Sequence, residues 1–228
     1  MLQSVLVPAQ RGGSRRLLIV LHGLGDSLEG YRWMPREMQL PWLNYLLVNA
    51  PFEYYGGYSW YDIYGNPNPG IEFSRRELFE LLDRLPSRRF SYEQVMLFGF
   101  SQGSLMCIEV GCRYPQKFAG IIGISGYVHR PERLVEELSP MAREQRFLLT
   151  HGTRDPLIPI DMVRKQVEIL LEAGLQIEWH EFRKEHEIAG YEELLLIRDF
   201  ILRCFGEDPR DWPFERFGLF SEEEEEEE

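Results

Sequence analysis

The chain has 228 residues, 44% of them apolar and 27% charged, which is the composition of an ordinary globular protein. The formal net charge is −12, and seven of those charges lie in an all-glutamate terminus, residues 222–228, which leaves −5 for the remainder. A run of like charges repels itself and predicts a disordered, solvated tail or an expression artefact. The basic residues are scattered and the net field repels phosphate, which argues against a nucleic-acid partner.

The cysteines predict a reducing compartment. Cys107, Cys112 and Cys204 are odd in number and lack metal-ligand spacing, so neither a disulfide framework nor a metal site is expected. The first ten residues lack a charged region followed by a signal-length apolar stretch, and no run approaches the ~18 apolar residues of a membrane span. We therefore expect a cytoplasmic protein without an integral membrane segment.

Short apolar runs alternate with longer amphipathic ones along the chain. The apolar runs predict buried strands at 17–21, 45–49, 95–98, 120–124 and 147–150, and the alternating run 177–182 predicts an edge strand. Helical spacing of apolar residues predicts helices at 77–85, 105–113, 162–173 and 191–205. This alternation indicates an α/β fold, a mainly parallel sheet flanked by helices on both faces.

We expect a single domain over residues 1–205, followed by a C-terminal segment, 206–228, that ends in the acidic tail. One stretch departs from the regular alternation. Residues 51–70 are crowded with Tyr, Gly, Pro and Asn and read as a long loop. Such loops are uncommon inside compact domains and are often functional.

The clearest chemical signal is Gly99-Phe100-Ser101-Gln102-Gly103, a G-x-S-x-G motif between a predicted strand and a predicted helix. A serine at the tip of so tight a turn holds a strained backbone and presents its hydroxyl above the sheet, at a helix N-terminus that favours negative charge. The glycines on either side let the flanking segments approach each other. The strand and helix context makes Ser101 the candidate nucleophile.

A serine hydroxyl needs a base to remove its proton. With this elbow the acid and then the histidine follow the serine in the chain, which excludes His22. His186 lies between the last predicted strand and the last predicted helix and is the favoured base. His129 comes too early and His180 lies within a strand. His151 is expected to hydrogen-bond the turn that presents the acid.

The acid is expected past the end of a later strand. Asp155 follows the strand 147–150 and the turn residues His151 to Arg154, so it can hold the imidazole in the required tautomer. Asp161 precedes a helical run and reads better as an N-cap. Glu185 adjoins His186, but neighbouring side chains in an extended segment point apart.

Acyl transfer also needs hydrogen-bond donors for the developing oxyanion. The backbone N–H of Gln102, the residue after the nucleophile, is one candidate. The second is expected from the loop after an early strand. Here the strand 17–21 runs into a glycine-containing loop at residues 22–26, and the Leu24 N–H is the candidate.

Together these motifs resemble the phospholipase/carboxylesterase family, which includes the acyl-protein thioesterases. HGLGD, NAP, SWYDI, GFSQG, HGTRDPLIP and HEI occur in that family's order over about residues 15–203. The resemblance implies an α/β-hydrolase fold with a small loop cap and hydrolysis without a cofactor. It implies the same triad and oxyanion amides, and it places Trp60 and Tyr61 in the substrate-side loop. Ser104 and Glu185 stand where the family usually has a smaller residue.

The sequence therefore predicts a serine carboxylesterase that acts on short- to medium-chain esters or thioesters through an acyl-enzyme. Its partners would be small-molecule esters or thioesters, or acylated proteins. Two alternatives stay open. The same fold hosts hydrolases of peptides and amides, and a hydrolase fold can also serve as a binding protein without turnover. The sequence does not indicate an oligomeric state.

Overall fold

The computed structural model describes residues 1–214. Within these residues the strands are β1 (Ser4–Val7), β2 (Leu17–Leu21), β3 (Asn44–Val48), β4 (Phe52–Tyr54), β5 (Gly57–Ser59), β6 (Val95–Phe100), β7 (Gly120–Ile124), β8 (Arg146–Gly152) and β9 (Gln176–Phe182). The α-helices are α1 (Met34–Met38), α2 (Asn68–Asp83), α3 (Gln102–Arg113), α4 (Pro131–Glu136), α5 (Ile160–Glu172) and α6 (Tyr191–Cys204). Single 3₁₀ turns lie at Leu28–Tyr31, Pro86–Arg88, Tyr92–Gln94, Ala142–Glu144 and Pro209–Asp211.

Seven strands form one central sheet in the order β1-β3-β2-β6-β7-β8-β9. All neighbouring pairs are parallel except β1 and β3, which run antiparallel. The six predicted strands are all present, and β9 lies at an edge as its alternating pattern predicts. The α/β fold class is therefore confirmed. The half-buried edge strand β1 was not predicted from the sequence.

The strands bury both faces because their residues are apolar throughout. In β2, Leu17, Ile19 and Leu21 pack into the core on the side of α2, α3 and α5. Leu18 and Val20 face the opposite core, with α1 and α6. Burying each such side chain contributes about 1.5–3 kcal/mol. The sheet is thus held rigidly between two apolar layers, and its carboxyl edge becomes a fixed platform.

The stretch 51–70, which the sequence predicts to be a long loop, contains regular secondary structure. It contains the hairpin of β4 and β5, which turns at Tyr55 and Gly56 with φ of 45° and 90°. Two positive φ angles are typical of the two-residue turns that match the twist of a hairpin, and Gly56 fits that geometry. The helix α2 then begins at Asn68, earlier than predicted. Its Pro69 lies in the first turn, where a missing N–H costs nothing.

The C-terminal segment packs on the body of the protein as far as it is described. Trp212 contacts Trp42 with ring centroids 5.9 Å apart, and its carbonyl oxygen accepts from the buried Arg198 at 2.6 Å. The predicted acidic tail lies outside the described residues. Among the helices of residues 1–214, none combines the length and the apolar character needed to cross a membrane.

Candidate active site

Ser101 lies in the turn between β6 and α3, at the carboxyl edge of the sheet. Its φ is 53° and its ψ −115°, a region that non-glycine residues rarely occupy and that costs on the order of 1–3 kcal/mol. Two backbone hydrogen bonds hold it there. Its N–H donates to the Ile124 oxygen at 2.9 Å, and its carbonyl oxygen accepts from Leu105 at 3.2 Å. The strained elbow expected from the sequence is present.

The two glycines of the motif are required by close backbone contacts. A Cβ at Gly103 would lie 2.1 Å from the Leu21 oxygen, and one at Gly99 would lie 2.2 Å from the Gly103 oxygen. Ser104, which departs from the family pattern, fits because Gly123 and Gly126 leave room beside its hydroxyl. The departure therefore leaves the elbow intact.

His186 links the serine to the acid. Its Nδ1 lies 2.7 Å from Asp155 Oδ2 and its Nε2 2.9 Å from Ser101 Oγ. A carboxylate only accepts, so Nδ1 donates to Asp155, and Nε2 of the neutral ring is left to accept from the serine hydroxyl. The Asp155 side chain is fully buried, while that of His186 is 14% exposed. The three groups thus form one continuous chain of hydrogen bonds.

Asp155 is held by more than the histidine. Its Oδ1 accepts from the N–H groups of Leu157 and Ile158, both at 2.9 Å. Burial opposes ionisation of this carboxyl. The hydrogen bonds from Ile158, His186 and Leu157 outweigh that effect and lower its pKa below the ordinary 3.8. Asp155 is therefore ionised at neutral pH and oriented on both oxygens.

Three other histidines lie elsewhere. His129 pairs with the Asn68 side chain at 2.6 Å, and His180 is exposed on β9. His151 is buried beneath the acid, and its Nε2 donates to the Ile158 oxygen at 2.8 Å. His151 thus braces the turn that presents Asp155, as the sequence predicts.

The two alternative acids lie away from the histidine Nδ1. Asp161 pairs with Arg164 at 2.6 Å in the first turn of α5. The predicted N-cap role of Asp161 is wrong, because Pro159 occupies that position and makes no side-chain cap. Glu185 is exposed.

The loop after β2 approaches the elbow from the other side. Leu24 and Gln102 line the same cavity as Ser101 and His186. Neither backbone N–H donates to another atom of residues 1–214. Two residues with an unpaired backbone N–H in the described part of the chain therefore line the cavity that contains Ser101.

Two partners fix the loop that carries Leu24. The His22 ring accepts from the Ala50 N–H at 3.0 Å and donates to the Gly23 oxygen at 2.6 Å, and burial lowers its pKa, which favours the neutral ring. The hairpin strand β5 also pairs with the loop. Gly25 donates to the Tyr58 oxygen and Tyr58 donates to the Asp26 oxygen, both at 2.9 Å. Nothing in the sequence predicts this brace.

The side chain of Gln102 has a role that the sequence analysis missed. It is buried, its Oε1 accepts from the Trp60 N–H at 2.9 Å, and its Nε2 donates to the Tyr61 oxygen at 2.9 Å. The Ser59 hydroxyl lies 2.7 Å from the Tyr61 oxygen and 3.2 Å from the same Oε1, and its one proton can go to either acceptor. Gln102 therefore ties Trp60 and Tyr61, in the stretch 51–70, to the turn that carries Ser101.

The two predicted substrate contacts differ in position. Tyr61 lines the cavity beside Ser101. Trp60 lines neither that cavity nor a second, smaller one at the same edge of the sheet. Its side chain is fully buried, and its indole N–H donates to the His22 oxygen at 2.9 Å. The expectation that Trp60 contacts substrate is therefore not met by its position, and Trp60 supports the loop of Leu24 instead.

Two apolar cavities lie at this edge of the sheet. The one that contains Ser101 and His186 has a volume of about 570 Å³. A second, of about 330 Å³, lies under the hairpin and is lined by Phe52 and Tyr54 among others. Leu24, Tyr61 and Ile63 line both cavities. The arrangement places a serine hydroxyl, an imidazole hydrogen-bonded to it, and two residues with unpaired backbone N–H groups beside a large apolar space. Among the described residues, no cluster of His, Cys, Asp or Glu could hold a metal ion.

The chain is similar to several known proteins, among them acyl-protein thioesterases and an esterase. The chain is 32% identical to acyl-protein thioesterase 1 of Schizosaccharomyces pombe over 62% of this chain and 69% of the relative. It is 26% identical to acyl-protein thioesterase 1 of Debaryomyces hansenii over 88% of this chain and 96% of the relative. The crystal structure of esterase PE8 superposes with a TM-score of 0.77 at 26% identity, covering 89% of this chain and 99% of that one. The phospholipase/carboxylesterase family model matches residues 3–205. The chain therefore belongs to the phospholipase/carboxylesterase family of α/β-hydrolases, a family of serine hydrolases.

Proposed function

We propose that the protein is a carboxylesterase that hydrolyses acyl esters and thioesters, with Ser101 as nucleophile, His186 as base and Asp155 as the acid that orients it. The observation that carries the proposal is the unbroken hydrogen-bond chain from Asp155 through His186 to Ser101, at 2.7 and 2.9 Å. Structural histidines rarely connect a buried carboxylate to a serine at a strained elbow beside an apolar cavity. This combination is what nucleophilic catalysis requires.

In the first step the Ser101 oxygen attacks the acyl carbon while His186 Nε2 takes the hydroxyl proton. The imidazolium that forms is stabilised by ionised Asp155 and returns the proton to the leaving alcohol or thiol. Water then attacks the acyl-enzyme while His186 takes a proton from the water. His186 returns that proton to the Ser101 oxygen, and the carboxylic acid product leaves. The lowered pKa of Asp155 supports this role, because the carboxylate stays charged throughout.

We assign the oxyanion donors to the backbone N–H groups of Leu24 and Gln102. Both are free of other hydrogen bonds in the described part of the chain, and both border the cavity of Ser101. Each such donor commonly lowers the activation barrier by about 3–4 kcal/mol. The loop of Leu24 is braced by His22 and by β5, which supports a preorganised donor.

The two apolar cavities support an acyl chain of short to medium length as the substrate group. The acyl chain would lie from Ser101 past Leu24, Tyr61 and Ile63, toward the second cavity. Apolar clefts of roughly 300–1,000 Å³ are typical of small-molecule sites. The relatives named acyl-protein thioesterase support thioesters, including those of acylated proteins, as substrates.

We also propose that residues 1–205 form one catalytic domain and that the protein works in the cytoplasm. The family match over residues 3–205 supports the extent of the domain. The three cysteines are all free thiols, which supports a reducing compartment.

The test is labelling and turnover in one preparation. Wild-type protein should hydrolyse p-nitrophenyl butyrate and bind a fluorophosphonate probe at Ser101, located by peptide mass spectrometry. Ser101→Ala should abolish both, and Ser104→Ala, a buried neighbour, should retain both. Labelling at another residue, or unchanged turnover in Ser101→Ala, would refute the assignment. Turnover of aminoacyl amides in preference to esters would favour the amide-hydrolase alternative.

A further inference from the structure

A buried ion pair lies beside the loop that carries His186. The Nζ of Lys184 donates to both carboxylate oxygens of Glu193, at 2.6 and 2.7 Å. The Lys184 side chain is 2% exposed and that of Glu193 is fully buried. A buried carboxylate and ammonium are expensive to desolvate, so their presence here calls for a physical role.

Glu193 also receives hydrogen bonds from two other parts of the site. The Thr150 hydroxyl donates to its Oε1 at 2.5 Å, and the Ala189 N–H donates to its Oε2 at 2.6 Å. One carboxylate therefore joins β8, the residues after β9, the residues before α6, and α6 itself. Each of its two oxygens accepts two hydrogen bonds, so the carboxylate is well compensated despite its burial.

The two bonds that reach the histidine loop lie on either side of His186. Lys184 comes two residues before it and Ala189 three residues after it. Glu193 thus holds both ends of a short loop whose middle carries the base. A loop fastened at both ends leaves the imidazole little freedom to move away from the serine.

The main chain at Lys184 also contacts the turn that carries the acid. Its carbonyl oxygen accepts from the Arg154 N–H at 3.1 Å. A Cβ at Gly152 would lie 2.4 Å from the same oxygen, so the two segments touch directly. A shift of Lys184 would therefore move the histidine loop against the Asp155 turn.

We propose that Lys184 and Glu193 are positioning residues for the reaction, and that their ion pair fixes the histidine loop so that His186 reaches Ser101 and Asp155 together. The proposal rests on the proposed role of His186 as the base. The alternative is that the pair only stabilises the fold. Hydrophobic replacement of buried ion pairs is often neutral for stability, so the two roles can be separated.

The test uses the full chain and the neutral double variant Lys184→Met/Glu193→Gln. The glutamine introduced by the second substitution keeps an amide oxygen that can accept from Ala189 or Thr150. Both charges are removed together, so neither is left buried without its partner. We therefore expect the double variant to fold, with a melting temperature near that of the wild type.

The catalytic parameters of the double variant should change although its stability does not. We expect a kcat for p-nitrophenyl butyrate about 10- to 100-fold lower than that of the wild type, and a KM changed less than about twofold. Fluorophosphonate labelling of Ser101 should slow by the same factor as kcat. The low-field proton resonance of the His186–Asp155 hydrogen bond should shift or broaden, because the imidazole is held less firmly.

Two further variants serve as controls. Lys184→Arg keeps the positive charge, and its guanidinium can donate to both oxygens of Glu193, so kcat should stay within about threefold of the wild type. Glu109→Gln removes a carboxylate that is equally buried and pairs with Arg75 and Arg113 at 2.8 and 2.7 Å. It should lower stability without changing kcat.

Wild-type kcat and an unchanged histidine proton signal in the folded double variant would overturn the proposal. So would a loss of kcat in Glu109→Gln as large as that in the double variant. If the double variant does not fold, Thr150→Val removes one hydrogen bond to Glu193 and should still lower kcat and shift the proton signal. No change in either would overturn the proposal as well. Failure of the proposed function is distinct, because wild-type protein would then not be labelled at Ser101.

Discussion

The side-chain amide of Gln102 donates to the carbonyl oxygen of Tyr61 at 2.9 Å, so the residue next to Ser101 also anchors the wall of the neighbouring apolar cavity. Its backbone and its side chain therefore serve different parts of the site. A substitution that keeps the backbone N–H but removes the side-chain bonds separates the two.

Gln102→Met has a similar length but cannot bond Trp60 or Tyr61. The buried Trp60 N–H would be left unpaired, which costs about 1–3 kcal/mol, while the Tyr61 oxygen can still accept from the Ser59 hydroxyl at 2.7 Å. The melting temperature should therefore fall by a few degrees. KM for p-nitrophenyl octanoate should rise, because the wall at Tyr61 loosens. The kcat for p-nitrophenyl acetate should change less than about threefold, since the backbone donor remains. An unchanged melting temperature and KM would contradict this account.

Asp155→Asn should preserve the fold and nearly abolish turnover. The amide oxygen can still accept from Leu157 and Ile158, which turns the amide nitrogen toward His186 and stabilises the wrong tautomer. We expect kcat to fall by about 10⁴-fold. Asp161→Asn changes an exposed carboxylate that pairs with Arg164 and should leave kcat unaltered. Steady-state kinetics with p-nitrophenyl butyrate compares the two, and an active Asp155→Asn would rule out the triad.

Gly57→Ala should impair catalysis from a distance. A Cβ at this position would lie 2.0 Å from the Gly25 oxygen, so β5 and the loop of Leu24 must separate. We expect the Leu24 donor to move and kcat to fall by about 10²-fold, as when one oxyanion donor is lost. Gly12→Ala is the matched control, since its added Cβ meets nothing within 4 Å. Equal kcat values in the two variants would refute the link between hairpin and oxyanion loop.

Ile63→Trp should change chain-length selectivity. Ile63 lines both cavities, and its side chain is partly exposed, so a larger ring can be accommodated while the passage narrows. We expect kcat/KM for p-nitrophenyl acetate to be retained and that for the octanoate ester to fall. A profile over acyl lengths from two to twelve carbons measures the effect. A uniform decrease at every length would show that the chain does not pass Ile63.

Glu137 should contribute to stability only above its lowered pKa. Hydrogen bonds from Arg133 and Arg113 lower its pKa from 4.5 to about 2 in the folded protein. Between these values the unfolded chain binds the proton more readily, so the contribution is present above pH 4.5 and is lost as the pH falls toward 2. Glu137 and Arg133 are partly exposed, so we expect the contribution of Glu137 to the free energy of unfolding to be less than about 1 kcal/mol. Urea unfolding should show Glu137→Gln less stable than the wild type at pH 7 and the difference shrinking at pH 2.5. A constant difference would contradict the shift.

The sheet, and the meeting of three side chains at its carboxyl edge, could be predicted from the sequence because both depend on local patterns. Buried strands such as 120–124 are apolar at every position, and a parallel α/β order then places successive strand ends at one edge. Ser101 and Asp155 follow such strands, and His186 follows the alternating edge strand β9. The G-x-S-x-G motif, the positions after strands and the order along the chain together selected these three residues.

The supports of the site were not predictable in the same way. The hairpin 52–59 was hidden because its strands have three residues each, too short for a periodic pattern. The early start of α2 was hidden by Pro69 and Gly70, which read as helix breakers although a first-turn proline is compatible with a helix. Trp60 was assigned to substrate because the resemblance of the SWYDI segment places it in the substrate-side loop. Its burial depends on His22 and Gln102, which lie far away in the chain.

One hairpin serves two purposes in this enzyme, since β4 and β5 line the second cavity and β5 also pairs with the loop of Leu24. With the acyl chain and the oxyanion donor placed as proposed, substrate range and reaction rate are linked in the same few residues. Substitutions that reshape these strands for a bulkier acyl group will also alter the turnover of every other substrate. Adjustments at Ile63, which takes no part in that pairing, offer a way to change preference while leaving turnover intact.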